Sequence, residues 1–325
     1  MKNLNGFLCF LFLCCGVNFA REVTNFDKEN SIKNINVKNE KICCDVVNTS
    51  IHRIFKNDTL KLKANGVVRY SDFGAKGDGK TDDMNAIVAT HEFANKNGLK
   101  VKADDRATYY ISGKHQTAII QTDTDFGSAS FIIDDTDVEN RQANIFEVIS
   151  KYPSYKINEI HSLKKNQKKI NVSFLRKSIV TVTNSHKKQY IRFGLNQNNG
   201  QSQTDIFIVD KNGLIAKNTP ILWDFDTITS VNVFPMDEKV LKITGGNFTT
   251  IANKEPSEYK YYQRNILIKR SNVVVDGLKH LIVGEENQGA PYGGFLFIKD
   301  CENVTVQNAI LTAHKTYKTI GNAGK

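Results

Sequence analysis

The last residues of the sequence combine side chains that suit acid–base chemistry. Residues 312–325 read TAHKTYKTIGNAGK, in which His314, Lys315, Tyr317 and Lys318 follow one another closely. Histidine or lysine can take up a proton, a tyrosine hydroxyl can deliver one, and a cationic side chain can hold a carboxylate. We predict catalytic roles for His314, Lys315 and Tyr317 and a substrate-binding role for Lys318. The alternative is that they are polar residues of an exposed turn after a strand.

A second segment matches a phosphate-binding pattern. Residues 74–81 read GAKGDGKT and fit the form G-x-x-x-x-G-K-T. Asp82 and Asp83 follow directly, however, and their charge would oppose a bound phosphate. The preceding GVVRYSDF alternates polar and apolar residues, whereas a buried parallel strand is almost continuously apolar. We therefore predict a glycine-rich turn from a strand into a helix, and no nucleotide site.

The expected helix begins after this turn, and short strands dominate the rest of the chain. Its mostly apolar stripe follows helical spacing and consists of Met84, Ile87, Val88, His91 and Ala94. Thr81 or Asp82 is suited to cap its start, and Asn97 followed by Gly98 is suited to end it. Strands are predicted in ATYYISG, AIIQT and ASFIIDD, which turn-forming residues bound.

Two later stretches differ in character. Residues 150–238 contain longer strand-like segments joined by tight polar links, which predict an inserted antiparallel unit; these segments are KINVSFL, SIVTVTN, QYIRFGL, DIFIVD and ILWDF. The segments LKITGGNF, VVVDGLKH and VTVQNAIL then recur at offsets of 32 and 31 residues. A strand repeat of this period indicates a β-solenoid, in which each coil buries the apolar face of its neighbours.

These features resemble a known superfamily. The sequence resembles the start of pectate-lyase-like, right-handed parallel β-helix proteins in three consecutive parts: DFGAKGDGKTDDMNAI, the following helix and ATYYISG. Within that superfamily it is most similar to the rhamnogalacturonase/epimerase-like pectate lyase N-terminal domain. The segment NGLKVKADDRATYYISG departs from the family, which has a Gly/Pro-rich turn there. The resemblance implies an all-β fold, a right-handed parallel β-helix with an N-terminal capping α-helix and the inserted antiparallel β-rich unit.

The resemblance also implies a polysaccharide ligand, more specifically an acidic one that contains uronates. Lyase chemistry would use the groups around His314, and Tyr292 in the loop GAPYGG would stack on a sugar ring unless it packs within its turn. Hydrolase chemistry would need a pair of carboxylates. The available acids are Asp276, Glu285, Glu286 and Asp300. A non-catalytic, adhesin-like β-helix that only binds carbohydrate is the alternative to both enzymes.

Calcium is the one cofactor that the sequence brings into consideration. The segment TDTDFGSASFIIDDTD supplies oxygen ligands at Asp123, Asp125, Asp134, Asp135 and Asp137. The spacing matches no known calcium loop, and capping of turns is the preferred interpretation.

The N-terminus and the charge suggest an exported protein with an acidic partner. An apolar run follows Lys2 and ends at Ala20, as in a signal peptide, and Cys14 or Cys15 would carry a lipid in the alternative interpretation. We expect a secreted, periplasmic or cell-surface location without a transmembrane span. The formal net charge of +10 favours acidic partners. We expect an acidic polysaccharide in that role, and not nucleic acid.

The predicted organisation has five parts. They are a signal peptide (1–20), a polar lead-in (21–65), the capping helix and first coils (66–149), the insert (150–238) and further coils (239–325). The sequence stops at NAGK without a polar cap, so we expect either a fragment with more coils beyond Lys325 or an unusually short solenoid. Cys43 or Cys44 could form a disulfide with Cys301.

Overall fold

A computed structural model describes residues 60–190, 200–253, 263–284 and 294–312. Contacts divide the chain into Met1–Lys61 and Leu62–Lys325, and the fold given below is that of the second unit. The predicted signal peptide and nearly all of the polar lead-in lie outside the described residues.

Strands are the main regular secondary structure of the described chain. Those before the insert are β1 (Val67–Arg69), β2 (Asp78–Asp82), β3 (Lys100–Lys102), β4 (Thr108–Ile111), β5 (Ala118–Ile120), β6 (Thr124–Asp134) and β7 (Phe146–Ile149). The insert contributes β8 (Tyr155–Lys156), β9 (Ser178–Tyr190), β10 (Gln201–Val209) and β11 (Ser230–Pro235). After it come β12 (Leu241–Ile251), β13 (Ile266–Lys269), β14 (Val273–Asp276), β15 (Lys279–Val283), β16 (Leu296–Ile298), β17 (Val304–Gln307) and β18 (Ile310–Leu311). A 3-10 helix (Tyr70–Phe73) follows β1, and helix α1 (Met84–Asn97) follows β2.

The strands outside the insert stack in three parallel faces. Face 1 has the order β1-β3-β6-β12-β14-β17, face 2 the order β2-β4-β6-β12-β15-β18, and face 3 the order β5-β7-β13-β16. The chain visits faces 1, 2 and 3 in turn and then starts the next coil, so the fold is a parallel β-helix, as predicted. Leu241 pairs with Val273 and Val273 with Val304, which confirms the repeat seen in the sequence.

A ladder of aromatic rings fills the interior behind face 2. Tyr109, Phe131 and Phe248 occupy equivalent positions on successive coils and are all buried. The rings of Phe131 and Phe248 stack with centroids 4.6 Å apart, and His280 on the next coil stacks on Phe295 at 3.8 Å. Aromatic pairs of this kind contribute about 0.5–1.5 kcal/mol each beyond the burial of their area.

Paired glycines make the corner between faces 1 and 2. β6 and β12 serve both faces, and Gly127 and Gly245 bend them with φ values of 52° and 69°. These are left-handed conformations that glycine adopts without strain. The backbones of the two coils also approach closely here, because a Cβ on Gly245 would meet the carbonyl oxygen of Gly127 inside van der Waals contact.

Helix α1 replaces the face 3 strand in the first coil. Met84, Ile87, His91 and Ala94 of the predicted stripe are buried, and Val88 is half-buried against the core. At the free edge of β5, the Asn95 side chain donates to Ile119 O (2.7 Å) and accepts from the backbone N–H of Gln121 (3.0 Å). The side chain thus occupies hydrogen-bonding groups that an edge strand leaves open.

The glycine-rich segment is a turn whose amides are already occupied. The Asp83 carboxylate accepts the backbone N–H groups of Lys76 (2.6 Å) and Gly77 (3.1 Å), where a phosphate loop would hold its ligand. Gly98 ends the helix as predicted. Asp82 accepts the first helical N–H, from Met84, at 3.2 Å, whereas the N-cap position itself belongs to Asp83 and not to Thr81.

The insert leaves the solenoid after β7, returns at β12, and is antiparallel. Its sheet has the order β10-β9-β11-β8 and a hydrophobic core of its own. The strands predicted in KINVSFL and ILWDF are wrong, since these segments make only the isolated bridges Lys169–Leu214 and Leu163–Phe225. They instead cover the sheet and bury Phe174. Most of QYIRFGL lies outside the described residues.

The disulfide considered for Cys301 is not formed. Cys301 carries a free thiol that is half-buried, and its Sγ lies 3.6 Å from the carbonyl oxygen of Ile268. Burial raises the pKa of this thiol.

Candidate functional site

The residues predicted from the sequence lie outside the described ranges. This applies to His314, Lys315, Tyr317, Lys318 and Tyr292. The described chain ends at Thr312, whose backbone N–H donates to the carbonyl oxygen of His280 at 3.2 Å. The roles given to these five residues therefore stay predictions.

The acids considered for hydrolysis are partly described. Asp276 is half-buried on face 1, and its carboxylate accepts hydrogen bonds from the amides of Gln307 (2.9 Å) and Asn308 (2.8 Å). These bonds lower its pKa, Asn308 having the larger effect, and so favour the ionised form. Glu285 and Glu286 lie outside the described residues.

The aspartates considered for calcium are engaged separately. Asp123 accepts the backbone N–H of Lys242, Asp125 accepts the Thr244 hydroxyl, and Asp135 pairs with Arg264 at 2.8 Å. Asp134 accepts the hydroxyl of Tyr110 at 2.8 Å. Within the described ranges, no group of three or more His, Cys, Asp or Glu side chains could hold a metal ion.

A cleft opens where the insert joins the β-helix. This junction cleft has a volume of about 370 Å³ and follows the corner between faces 3 and 1, along Gly98–Lys100, Gln121–Asp123, Val240–Leu241 and Arg270. Four successive coils contribute, and coils of a parallel sheet lie about 4.8 Å apart, so the cleft is about 14 Å long. Its outer wall comes from Lys151 and Tyr152 and from Arg176 of the insert.

Cations line this cleft in excess. Four cationic side chains border it: Lys100, Lys151, Arg176 and Lys239. Across the described chain, none of the four forms an ion pair with a carboxylate. The three lysines are exposed. Three acids are also present: Asp123, Asp237 and Glu238. The cleft is therefore suited to hold an anionic ligand.

An aromatic ring and a guanidinium form one wall. The Arg176 guanidinium lies over the Tyr152 ring at 3.4 Å from the centroid, and it also donates to the carbonyl oxygen of Met236 at 3.3 Å. The Tyr152 backbone N–H donates to Ser150 Oγ at 3.0 Å. Tyr152 is nevertheless 41% exposed, so part of its surface is open to a ligand.

A buried ion pair holds the floor. Arg270 and Asp237 are both nearly inaccessible and lie 3.4 Å apart. Arg270 also donates to the carbonyl oxygens of Asn272 (2.9 Å) and Lys239 (2.7 Å). It thereby ties the returning end of the insert to the next corner of the β-helix, and it sets the position of Lys239 in the cleft.

A shallower groove continues from the cleft onto face 1. It measures about 280 Å³ and shares Lys100 and Asp123 with the junction cleft. Lys102 and Lys242 extend the row of cations, although Lys102 lies 3.8 Å from Asp105. The outward side chains of adjacent coils are aligned by the parallel register, so the groove runs along the solenoid.

Sequence reasoning missed this site because its residues are far apart in the chain. Lys100, Lys151 and Lys239 belong to no motif, and only the fold brings them together. One signal was available. The predicted insert boundaries, 150 and 238, lie directly beside Lys151 and Lys239, and the point where an insert meets a scaffold is a common place for a cleft.

The register and the cleft define the class: a parallel β-helix with an inserted antiparallel sheet and a cationic cleft between them. No protein-family model matches the chain, and no curated protein matches it. The structure shows the parallel β-helix fold that the resemblance implied, and membership of the pectate-lyase-like superfamily stays a prediction.

Solved structures give distant similarities. The tailspike protein gp49 from Pseudomonas phage LKA1 matches with 10% identity and a TM-score of 0.41, over 74% of this chain and 46% of that chain. The Gp54 tailspike of Acinetobacter baumannii bacteriophage AP22, solved with a capsular saccharide, matches with 10% identity and a TM-score of 0.41, over 70% and 34%. The Streptococcus pneumoniae adhesin PfbA matches with 14% identity and a TM-score of 0.30, over 75% and 52%.

This chain therefore spans about a third to a half of the length of these proteins. The TM-scores are low, so the assignment of the fold rests on the strand register. In the ranges that the structure describes, no helix has both the length and the hydrophobicity to cross a membrane.

Proposed function

We propose that the protein binds an acidic polysaccharide in the junction cleft and the adjoining groove on face 1. The observation that carries the proposal is a set of four cations around an elongated cleft, for which the described ranges hold no carboxylate partner: Lys100, Lys151, Arg176 and Lys239. A uronate carboxylate would interact with these charges, and the exposed part of Tyr152 would contact the sugar ring. The predicted signal peptide would direct such a protein out of the cytoplasm, where it would meet this ligand.

Binding to a polyuronate tests the proposal. Polygalacturonate should bind to the protein, whereas dextran, a neutral polymer, should not. Affinity should fall as salt rises, because screening weakens exposed charge contacts. Replacing Lys100, Lys151 and Lys239 together by Ala should lower the affinity about tenfold. Three contacts of about 0.5 kcal/mol each amount to about 1.5 kcal/mol, and about 1.4 kcal/mol corresponds to a factor of ten.

A matched variant controls for the change in net charge. In this control variant, Ala replaces three exposed lysines of the insert that do not line the cleft: Lys165, Lys168 and Lys211. It should bind as tightly as the unmodified protein. If both triple variants bind equally, or if polygalacturonate does not bind at all, the junction cleft is not the site.

We further propose that bound polymer is cleaved by the residues predicted at the end of the chain. His314 or Lys315 would take the proton α to the uronate carboxylate, and a C=C bond would form as the glycosidic C–O bond at the β-carbon breaks. Tyr317 would protonate the departing oxygen, and Lys318 would hold the carboxylate. Unsaturated products that absorb in the ultraviolet would identify a lyase. Reducing ends without this absorbance would identify a hydrolase.

Variants separate cleavage from binding. His314→Ala and Lys315→Ala should each abolish product formation while polygalacturonate binding is kept. Full activity in both would remove these residues from the mechanism. Binding without any product would leave the adhesin-like alternative, a protein that holds carbohydrate and does not cleave it.

A further inference from the structure

A second cleft lies on the other side of Tyr152. It has a volume of about 310 Å³ and is bordered by the outer surface of face 3 and by the insert. Tyr152 lines both this second cleft and the junction cleft, so its side chain forms the wall between them. Ser150 and Pro153, on either side of Tyr152 in the chain, also line the second cleft.

The second cleft differs from the first in charge. Its ionisable residues are Glu147, Lys269 and Asp300, which give no excess of cations. The Glu147 carboxylate is already engaged, since its Oε1 accepts a hydrogen bond from the Asn144 amide at 2.7 Å. An acidic sugar would therefore gain nothing here that compares with the junction cleft.

Its remaining surface combines hydroxyl groups with apolar side chains. Ser154 offers an exposed hydroxyl, whereas Ser150 and Ser271 already accept backbone N–H groups and keep an O–H to donate. Apolar contacts come from Phe234 and from prolines. A neutral sugar presents the complementary groups, because it carries hydroxyls around its edge and C–H bonds on its ring faces. Apolar walls with a few placed polar groups are typical of small-molecule sites.

We propose that the second cleft binds a neutral sugar residue of the same polymer whose acidic residues occupy the junction cleft. This inference rests on the proposed function. The ligand would be a heteropolysaccharide that crosses the exposed part of the Tyr152 ring, so that acidic and neutral residues lie on opposite sides of it. Tyr152 and the Arg176 guanidinium stacked on it would then separate two subsites of different charge.

A blocking substitution tests the inference. Ser154 is exposed and lines only the second cleft, so Ser154→Trp should fill that cleft without touching the first. Asn158→Trp, at an exposed position of the same segment that lines neither cleft, is the matched control. The probes for calorimetric titration are oligogalacturonate, an acidic homopolymer, and hyaluronan oligosaccharides, in which uronate and neutral amino sugar alternate.

Hyaluronan oligosaccharides should bind more tightly than oligogalacturonate of equal charge. Ser154→Trp should lower their affinity at least tenfold and leave oligogalacturonate binding unchanged, while Asn158→Trp should affect neither. The inference would be overturned if Ser154→Trp lost affinity for both ligands equally or kept its full affinity for hyaluronan oligosaccharides. It would also be overturned if the unmodified protein showed no preference for hyaluronan oligosaccharides. Those outcomes differ from failure of the proposed function, in which the unmodified protein does not bind oligogalacturonate. Thermal melting of both variants checks that they are folded.

Discussion

His91 should make the protein lose stability in mild acid. The ring lies on α1, is fully buried, and its Nε2 is 3.0 Å from the Tyr70 hydroxyl. Its Nδ1 has no hydrogen-bond partner in the described part of the chain, so an imidazolium would hold a second N–H without an acceptor. Burial accordingly lowers the pKa of His91 from 6.5 to about 3.

The sign and size of the effect follow from this pKa. The folded state disfavours the protonated ring, so the stabilisation is complete above pH 6.5 and is lost as the pH falls from 6.5 towards 3. One proton changes the free energy of unfolding by about 1.4 kcal/mol per pH unit in that interval. Between pH 7.5 and pH 5, His91 alone should remove about 2 kcal/mol.

Urea unfolding at both pH values, followed by circular dichroism, measures this loss. His91→Gln keeps a polar side chain at the position but cannot take up the proton. Its free energy of unfolding should therefore change by about 2 kcal/mol less than that of the unmodified protein between the two pH values. His161→Gln changes an exposed histidine and should leave the pH dependence as it was. If His91→Gln keeps the full pH dependence, the buried neutral ring is not its source.

Three further substitutions test how the coils are held together. Gly245→Ala and Gly284→Ala place Ala at nearly the same φ, 69° and 70°, but only Gly245→Ala puts a Cβ against a neighbouring carbonyl oxygen. Gly245→Ala should therefore lower the stability by about 2 kcal/mol more than Gly284→Ala in thermal melting. Equal melting temperatures would contradict the close approach of the two backbones. Arg264→Leu breaks the fully buried ion pair with Asp135 and should lower the free energy of unfolding in urea by about 3–5 kcal/mol. Adding Asp135→Leu removes the unpaired carboxylate and should recover much of that loss. A double variant no more stable than Arg264→Leu would show that the unpaired carboxylate is not the cause of the loss. Asn95→Leu should lower the free energy of unfolding by about 1–2 kcal/mol, because two hydrogen bonds at the edge of β5 are lost. The freed strand edge should also increase aggregation, seen in size-exclusion chromatography. An unchanged elution profile at raised protein concentration would rule out the capping role of Asn95.

The features that the sequence predicted correctly are those that depend on neighbouring residues. Helix α1 has its predicted apolar stripe and its end at Gly98, because helical spacing and a left-handed glycine are local properties. The sequence also distinguished the glycine-rich turn before the helix from a phosphate loop, because Asp83 follows that turn directly. In the structure, the Asp83 carboxylate accepts the backbone N–H groups of Lys76 and Gly77. The coil repeat was visible because successive coils after the insert have similar lengths.

Features that depend on distant residues were not predicted. ILWDF has the composition of a strand, yet it only bridges to Leu163, because its apolar side chains are needed to cover the insert's sheet. The register across the insert is also long-range, with Asp125 hydrogen-bonded to Thr244 over 119 residues. No local pattern indicates that β6 and β12 are neighbours, and the junction cleft depends on that pairing.

The insert is attached in a way that makes the cleft a fixed part of the molecule. Lys177, directly before β9, forms a 2.9 Å ion pair with Glu302 on a later coil, and the Glu302 backbone N–H donates to Ser271 Oγ at 3.1 Å. Arg270 ties the returning end at Lys239. The insert is thus joined to coils that follow it in sequence as well as to those where it begins and ends. The backbone positions that carry Lys100, Lys151 and Lys239 are therefore fixed along the solenoid. A polymer with several charges can contact more than one of these lysines at once, which a single small anion cannot.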